Sequence, residues 1–419
     1  MDEAAGENAH RLPWFLPDGV HFLYTARNND AEKNAIYVGS LDSKERKRII
    51  AASSNVEYVH PGYLLFLREQ VLMAQPFDAS NLETTGDAVA VAEHIGYDRL
   101  NLTGQFAASQ NGVLAYLPGG NLNSAQLAWL DRTGKPAGGV IGSPGTFWTP
   151  RISPDGATIA YSKIEPQVGH WDIWLHDIVR GTDSRFTLAP QSNEYPVWSP
   201  DGSRIAYTSF RVPGGVIWQR PLGGAGKDEV VDTFSRNASP QSWDWSPDNR
   251  FLIGDYHDAK TKDDVWVWPM KEGHADGEPF PYLHAESNER YPRLSPDGHW
   301  LAYSSDETKR DEVYVQTFPT PGQQVQISLN GGDRPVWSRD GKELYYISTD
   351  QRMMAVSVKT VPKFEAGDSK ELFEVHIGQA NAATFDVSKD GRFLIPNAVG
   401  RCAATPMTVV LNWTVGLKK

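Results

Sequence analysis

Cysteine is all but missing from this 419-residue chain: Cys402 stands alone, which excludes an intramolecular disulfide and a thiolate metal cluster. Long apolar runs are missing too. The richest, Tyr63-Leu64-Leu65-Phe66-Leu67, is broken by Arg68 and Glu69, far short of the ~20 residues a membrane-crossing helix needs. The N-terminus, Met1-Asp2-Glu3-Ala4-Ala5-Gly6-Glu7, lacks the basic and apolar regions of a signal peptide, so as written the chain reads as cytoplasmic. Positive charge is in deficit. A net charge of −12 disfavours a polyanionic partner and leaves nucleic acid out of consideration. Helical periodicity is scarce, which turns attention to strands.

What the chain has in plenty is aromatic residues, at 11%, together with 37 glycines and 28 prolines, a pairing that suits many short strands joined by turns. The stretch Pro196-Val197-Trp198-Ser199-Pro200-Asp201-Gly202-Ser203-Arg204-Ile205-Ala206-Tyr207 reads as two apolar strands around a tight turn, with Asp201 capping backbone N–H groups and Gly202 accepting a positive φ. Variants recur with the turn glycine, or Asn249 in its place, at 19, 62, 112, 156, 202, 249, 298, 341 and 391. Between successive turns there is room for two further strands, such as Trp171–Leu175 and Arg185–Leu188. Four strands per ~45 residues is the blade of a β-propeller.

The expected fold is therefore all-β, a single propeller of about eight to nine four-stranded blades, with two smaller propellers as the alternative. Residues 1–10 read as a disordered or closing segment and 11–419 as the propeller, with blade-like units near 11–52, 53–96, 104–142, 146–190, 193–234, 239–284, 288–328, 333–375 and 383–417. The last unit is irregular. It offers Phe385–Val387, Phe393–Ile395 and Thr408–Trp413 but no fourth strand, so either an imperfect blade or a piece of a longer protein is expected.

The repeated unit resembles the TolB-like propeller repeat, a relative of the WD-type blade, most strongly over residues 145–350. His10–Gly19, Pro61–Arg68, Leu72–Asp78, Leu127–Lys135 and the ending Val410-Leu411-Asn412-Trp413-Thr414 resemble more narrowly the C-terminal propeller region of bacterial serine/threonine protein kinases. This resemblance implies a non-enzymatic sensor or docking module. Its partner would be a protein, a peptide or a small polar ligand, with an upstream kinase domain as a further partner. It also implies a periplasmic position if the chain is part of a membrane-anchored kinase. A truncated kinase remnant without independent function is the third reading.

Catalytic signatures are lacking. Neither His-Arg-Asp nor Asp-Phe-Gly occurs, so phosphoryl transfer is not expected. The glycine-rich Gly223–Asp228 has Pro221 and Asp228 where a phosphate loop needs glycine and a hydroxyl, and reads as a hairpin. Without a Gly-x-Ser-x-Gly elbow a peptidase is not expected either. No His-Glu-x-x-His or calcium-loop pattern appears, and no cofactor is implied. The cluster Asp255, His257, Asp258, Asp263 and Asp264 reads as a solvated hairpin, and the recurrent turn aspartates as caps. Trp174, Trp218, Trp266 and Trp268 in third strands, like Trp198, Trp245 and Trp337 in first strands, read as packing between blades.

Candidate ligand-binding residues lie at the starts of the first strands, which line a propeller's channel. They are Asn55, Glu57, Tyr58, Trp148, Asn193, Glu194, Tyr195, Asn288, Glu289, Arg290, Tyr291, Asp333 and Arg334. Charged and aromatic groups around one channel mouth suit recognition. The rival is a propeller hydrolase or lyase with residues dispersed over that mouth.

Overall fold

The computed structural model describes residues 2, 5–28, 30–98, 101–119, 124–164, 170–189, 191–211, 215–223, 226–232, 240–258, 260–377, 384–399 and 406–417. All nine repeats form antiparallel strand–turn–strand pairs. Helical structure among the described residues is confined to short 3₁₀ pieces such as Ala31–Lys33 and Trp413–Leu417, and among them no helix is long and apolar enough to cross a membrane.

The Ser-Pro-Asp-Gly turns share one set of hydrogen bonds. Ser199 Oγ donates to Asp201 Oδ1 at 2.6 Å, Asp201 Oδ1 accepts from Ser203 N at 2.9 Å, and Arg204 N donates to Ser199 Oγ at 3.0 Å. The same serine–aspartate bond recurs at Ser153, Ser246, Ser295 and Ser338. Gly202 has φ +72°, and Asn249, which replaces it in one repeat, has φ +62°, a region asparagine tolerates better than most residues.

The chain divides into two compact units. The second, Ala125–Ile164 with His170–Ala398, holds six four-stranded blades. Blade I consists of the second half of Pro136–Ile152 with Thr158–Ile164, Trp171–Asp177 and Thr182–Arg185. Blade II begins with Asn193–Trp198, blade III with Pro240–Trp245, blade IV with Glu289–Leu294, and blade V with Asp333–Trp337. Blade VI is made from both ends of the unit: Asp386–Val387 and Phe393–Ala398 pair onward with Ala125–Leu130 and the first half of Pro136–Ile152.

This explains the irregular ninth repeat. Its outer strands come from residues 125–145, and Thr408–Leu411, expected to be its third strand, pairs instead with Val113–Tyr116. The first strands of blades I to VI neighbour one another in order and return to blade I, which closes the ring. Closure satisfies every blade's faces and leaves no open end.

The first unit, Met1–Ser124 with Val399–Lys419, holds three blade-like sheets. Glu7–Phe15 opens the first, so residues 7–10 belong to a paired strand. Val56–Val59 opens the second and Phe106–Ala108 the third. Trp413 is buried among Leu65, Leu67, Phe106 and Leu114, and so anchors the C-terminal segment in this unit.

Candidate functional site

Each first strand of blades I to V carries a bulge, visible as a register shift at Trp148/Arg151, Glu194/Val197, Ser242/Asp244, Arg290/Arg293 and Asp333/Val336. Thr149, Tyr195, Tyr291 and Arg334 have positive φ there. A proline follows each of these four in the sequence, which a bulge accommodates because it leaves a backbone position unpaired. The freed N–H groups reach the preceding blade. Tyr195 N donates to Ser162 Oγ at 3.2 Å, Tyr291 N to Asp255 Oδ2 at 3.3 Å, and Arg334 N to Ser304 Oγ at 3.2 Å.

Of the candidates proposed from sequence, all but Asn55 and Asn288, which precede their strands, are strand residues, and about half of those in the six-bladed unit are buried. Asn193, Glu194, Tyr195 and Glu289 are all under 9% exposed. Burial alone pushes the Glu194 carboxyl up to about 8, and burial, opposed by a bond from Ser287, pushes Glu289 up to about 7. Tyr195, Trp243 and Tyr291 pack together with Trp148 against them, with centroid distances of 5.5 Å for Tyr195–Trp243 and 5.0 Å for Trp243–Tyr291. These rings form a buried cluster between the first strands of blades I to IV. Asn288 bonds Asp306, Arg290 pairs with Asp311, and Arg334 pairs with Asp333.

Asn55, Glu57 and Tyr58 belong to the first unit and do not join this set. They stitch neighbouring sheets there: Asn55 Oδ1 accepts from Gly104 N, Glu57 Oε2 from Ala108 N, and the Tyr58 carbonyl from Gln110 Nε2.

The five-residue acidic hairpin is only partly solvated. His257 pairs with Asp263 at 2.7 Å, whereas Asp255 and Asp264 are buried, because Asp255 takes the mortaring position that serine holds in blades I and IV. Among the described residues no three His, Cys, Asp or Glu side chains are placed to hold a metal. Trp198, Trp245, Trp268 and Trp337 are core residues, while Trp174, Trp218 and Trp266 are partly buried against the core. Gly224, Ala225 and Cys402 lie outside the described residues.

A cavity of about 340 Å³ opens at the opposite, Ser-Pro-Asp-Gly end of the first strands and is lined from all six blades. Two positions before each turn serine stand Arg151, Val197, Asp244, Arg293, Val336 and Asp386. Asp386 Oδ2 accepts from Ile152 N at 2.8 Å and so joins blade VI to blade I; Asp244 Oδ2 accepts from Leu294 N at 2.9 Å. Arg339 Nη2 lies 2.9 Å from Asp386, and Arg293 Nε 3.4 Å from Asp244. Burial opposes ionisation of Asp386, yet Arg339, Arg293 and Arg151 hold it below the usual carboxylate range. Indole N–H groups fix the backbone beside the arginines, with Trp198 Nε1 on the Arg151 carbonyl and Trp337 Nε1 on the Arg293 carbonyl, both at 3.0 Å.

This mouth was not singled out from sequence. The signal was there, in the four prolines after the turn serines, Pro154, Pro200, Pro247 and Pro296, giving way to Arg339 and Lys389 in blades V and VI.

Antiparallel blades built from this repeat agree with the comparison to family models. Residues 195–372 match the TolB beta propeller domain. Over that stretch the chain is similar to the TolB propeller, and its fold is that of a β-propeller. It is 29% identical over 178 residues to an uncharacterized protein of Agrobacterium fabrum, covering 38% of this chain and 59% of that one. It is 27% identical over 154 residues to the Tol-Pal system protein TolB of Alcanivorax borkumensis, covering 36% and 34%. A 24% identical stretch in an uncharacterized peptidase of Bacillus subtilis covers 36% of this chain and 16% of that protein. The chain thus spans less than two thirds of each of these relatives. A solved TolB-type structure from Agrobacterium tumefaciens superposes with a TM-score of 0.52 at 18% identity, covering 65% of this chain and 97% of that one, a likeness of the TolB-like fold.

Proposed function

We propose that the chain is a non-enzymatic binding module of the TolB-like type, which takes a protein, a peptide or a small polar ligand at the axial channel of its six-bladed unit. The observation that carries this reading is the convergence of charged and indole side chains from all six blades on one cavity, whose volume of about 340 Å³ lies within the range of ligand pockets. A closed ring holds those groups without rearrangement, which lowers the cost of recognition. The Alcanivorax relative's name places it in the Tol-Pal system, which supports a role in assembly with other proteins. The segments that resemble the propeller region of bacterial serine/threonine kinases, such as His10–Gly19 and Val410–Thr414, support sensing or docking for a kinase domain. The opposite mouth, where Arg290, Asp333 and Arg334 keep partial exposure, is the second face a ligand could meet.

The relative named a peptidase gives the enzyme reading its one support. A screen separates the two. The full chain is titrated with a library of short peptides and small polar compounds by thermal shift and calorimetry, then retested as Pro154→Trp, which places an indole on the cavity rim. Ligands should raise the melting temperature of the wild type by mass action, lose affinity for Pro154→Trp, and be recovered unchanged. Turnover of a library member, or binding indifferent to Pro154→Trp, would overturn the proposal.

A further inference from the structure

Arg151 is 5% exposed, and among the described residues no carboxylate stands within ion-pair distance of it. Its Nε has no hydrogen-bond partner. Its terminal nitrogens reach only the Pro150 carbonyl at 3.4 Å and the Thr384 hydroxyl and Trp243 carbonyl at 3.5 Å, the outer limit of such bonds. The two cavity carboxylates are already engaged. Asp386 accepts from Ile152 N, Val387 N and Arg339, and Asp244 from Trp245 N and Leu294 N with Arg293 beside it. A buried guanidinium left this way costs several kcal/mol unless something pairs with it. Burial, then the charge of Arg293, push its pKa down to about 9, so the charge still persists at neutral pH.

The rim around it departs from the repeat in the same sense. A Cβ built on Gly202 would sit 3.7 Å from Pro154, on Gly298 3.4 Å from Pro247, and on Gly341 3.6 Å from Pro296. Pro154, Pro247 and Pro296 therefore each cover the next turn's glycine. At Gly391 and Gly156, which follow Arg339 and Lys389, nothing lies within 4 Å. The rim is open and cationic beside Arg151. Arg339 ties blade V to blades VI and I through the Val387 and Ile152 carbonyls and Asp386, whereas Arg151 makes no comparably close bond and valine stands at its position in blades II and V.

We propose that this mouth is a carboxylate-recognition site, in which Arg151, flanked by Arg293 and Arg339, takes the carboxylate while the indoles of Trp198, Trp243 and Trp245 take the apolar group attached to it. The proposal rests on the binding-module reading above. A planar guanidinium fork matches a carboxylate by two parallel hydrogen bonds. Asp244 and Asp386 beside the fork disfavour a doubly charged phosphate, and the indole wall suits an apolar neighbour. The carboxylate could belong to the C-terminus of a peptide or to a small aromatic acid.

Calorimetry on the full chain decides, with four probes: an acetylated tripeptide ending in phenylalanine with a free carboxylate, the same tripeptide as its C-terminal amide, benzoate, and inorganic phosphate. The acid peptide should bind about tenfold or more tightly than the amide. Arg151→Met, which keeps the volume and removes the charge, should lose about as much, and Arg339→Gln on the exposed rim a few-fold. Binding of the peptide acid alone assigns the site to a chain terminus, and equal binding of benzoate assigns it to a small acid. Equal affinity for acid and amide, preference for phosphate, no binding by either acid, or full affinity in both variants would overturn the proposal. If Arg151→Met does not fold, Arg339→Gln carries the test. Equal binding of acid and amide that is still lost in Pro154→Trp would leave the binding module standing and remove only the carboxylate.

Discussion

Glu194 and Arg151 lie on neighbouring first strands, near opposite ends of the channel, and both bury an ionisable group that the fold does not need for packing. Glu194 is the simpler case. Its carboxyl is raised to about 8 by burial, so the native state favours the neutral acid. The contribution to stability is full below the ordinary carboxylate range and is lost as pH rises through about 8. Glu194→Gln should therefore flatten the loss of stability between about pH 5 and about pH 9, read from urea midpoints. An unchanged slope would show that the carboxylate finds solvent or a cation. Arg151 has the opposite sign of charge: the fold offers it the fields of Asp386 and Asp244 but no ion pair at contact distance among the described residues, and the proposed ligand carboxylate would supply one.

At the scale of the element, the turn is the unit of construction. Hydrogen bonds from Ser199 and from the backbone of Ser203 hold Asp201 below the usual carboxylate range. Asp201→Ala should cost about 1 kcal/mol in chemical denaturation, while Asp87→Ala, likewise exposed and outside any such turn, should cost less; equal costs would deny the turn its role. This element was legible in the sequence, because Ser-Pro-Asp-Gly between apolar runs names both the capping atoms and the positive φ. The bulge was not. Nothing in Glu194-Tyr195-Pro196 announces that tyrosine adopts positive φ and turns its N–H toward the preceding blade, so the burial of Asn193, Glu194, Tyr195 and Glu289 could not be read in advance. Asp255 misled in the same way, since its equivalence to Ser162 and Ser304 is visible only once the strands are aligned in space.

For the whole molecule, repetition made an all-β propeller legible, and the distribution of repeats between units was not. Each repeat looks alike whether or not its neighbours close a ring. Closure depends on Ala125–Leu130 pairing with Phe393–Ala398, two segments far apart in sequence whose apolar patterns fit many strands. The Ser-Pro-Asp-Gly mouth escaped notice for a related reason: its residues come one from each blade, and their departure from the repeat means something only when the six positions face one cavity. The central claim, recognition at that mouth by a ring that does no chemistry, meets its most direct test in hydrogen exchange of the full chain with and without the acetylated acid peptide. Slowed exchange confined to the turn segments Ser338–Gly341 and Ser388–Gly391 and to Arg151–Ser153 is the predicted result; slowing at Asn193–Tyr195 and Asn288–Tyr291 instead, or none at saturation, would contradict it.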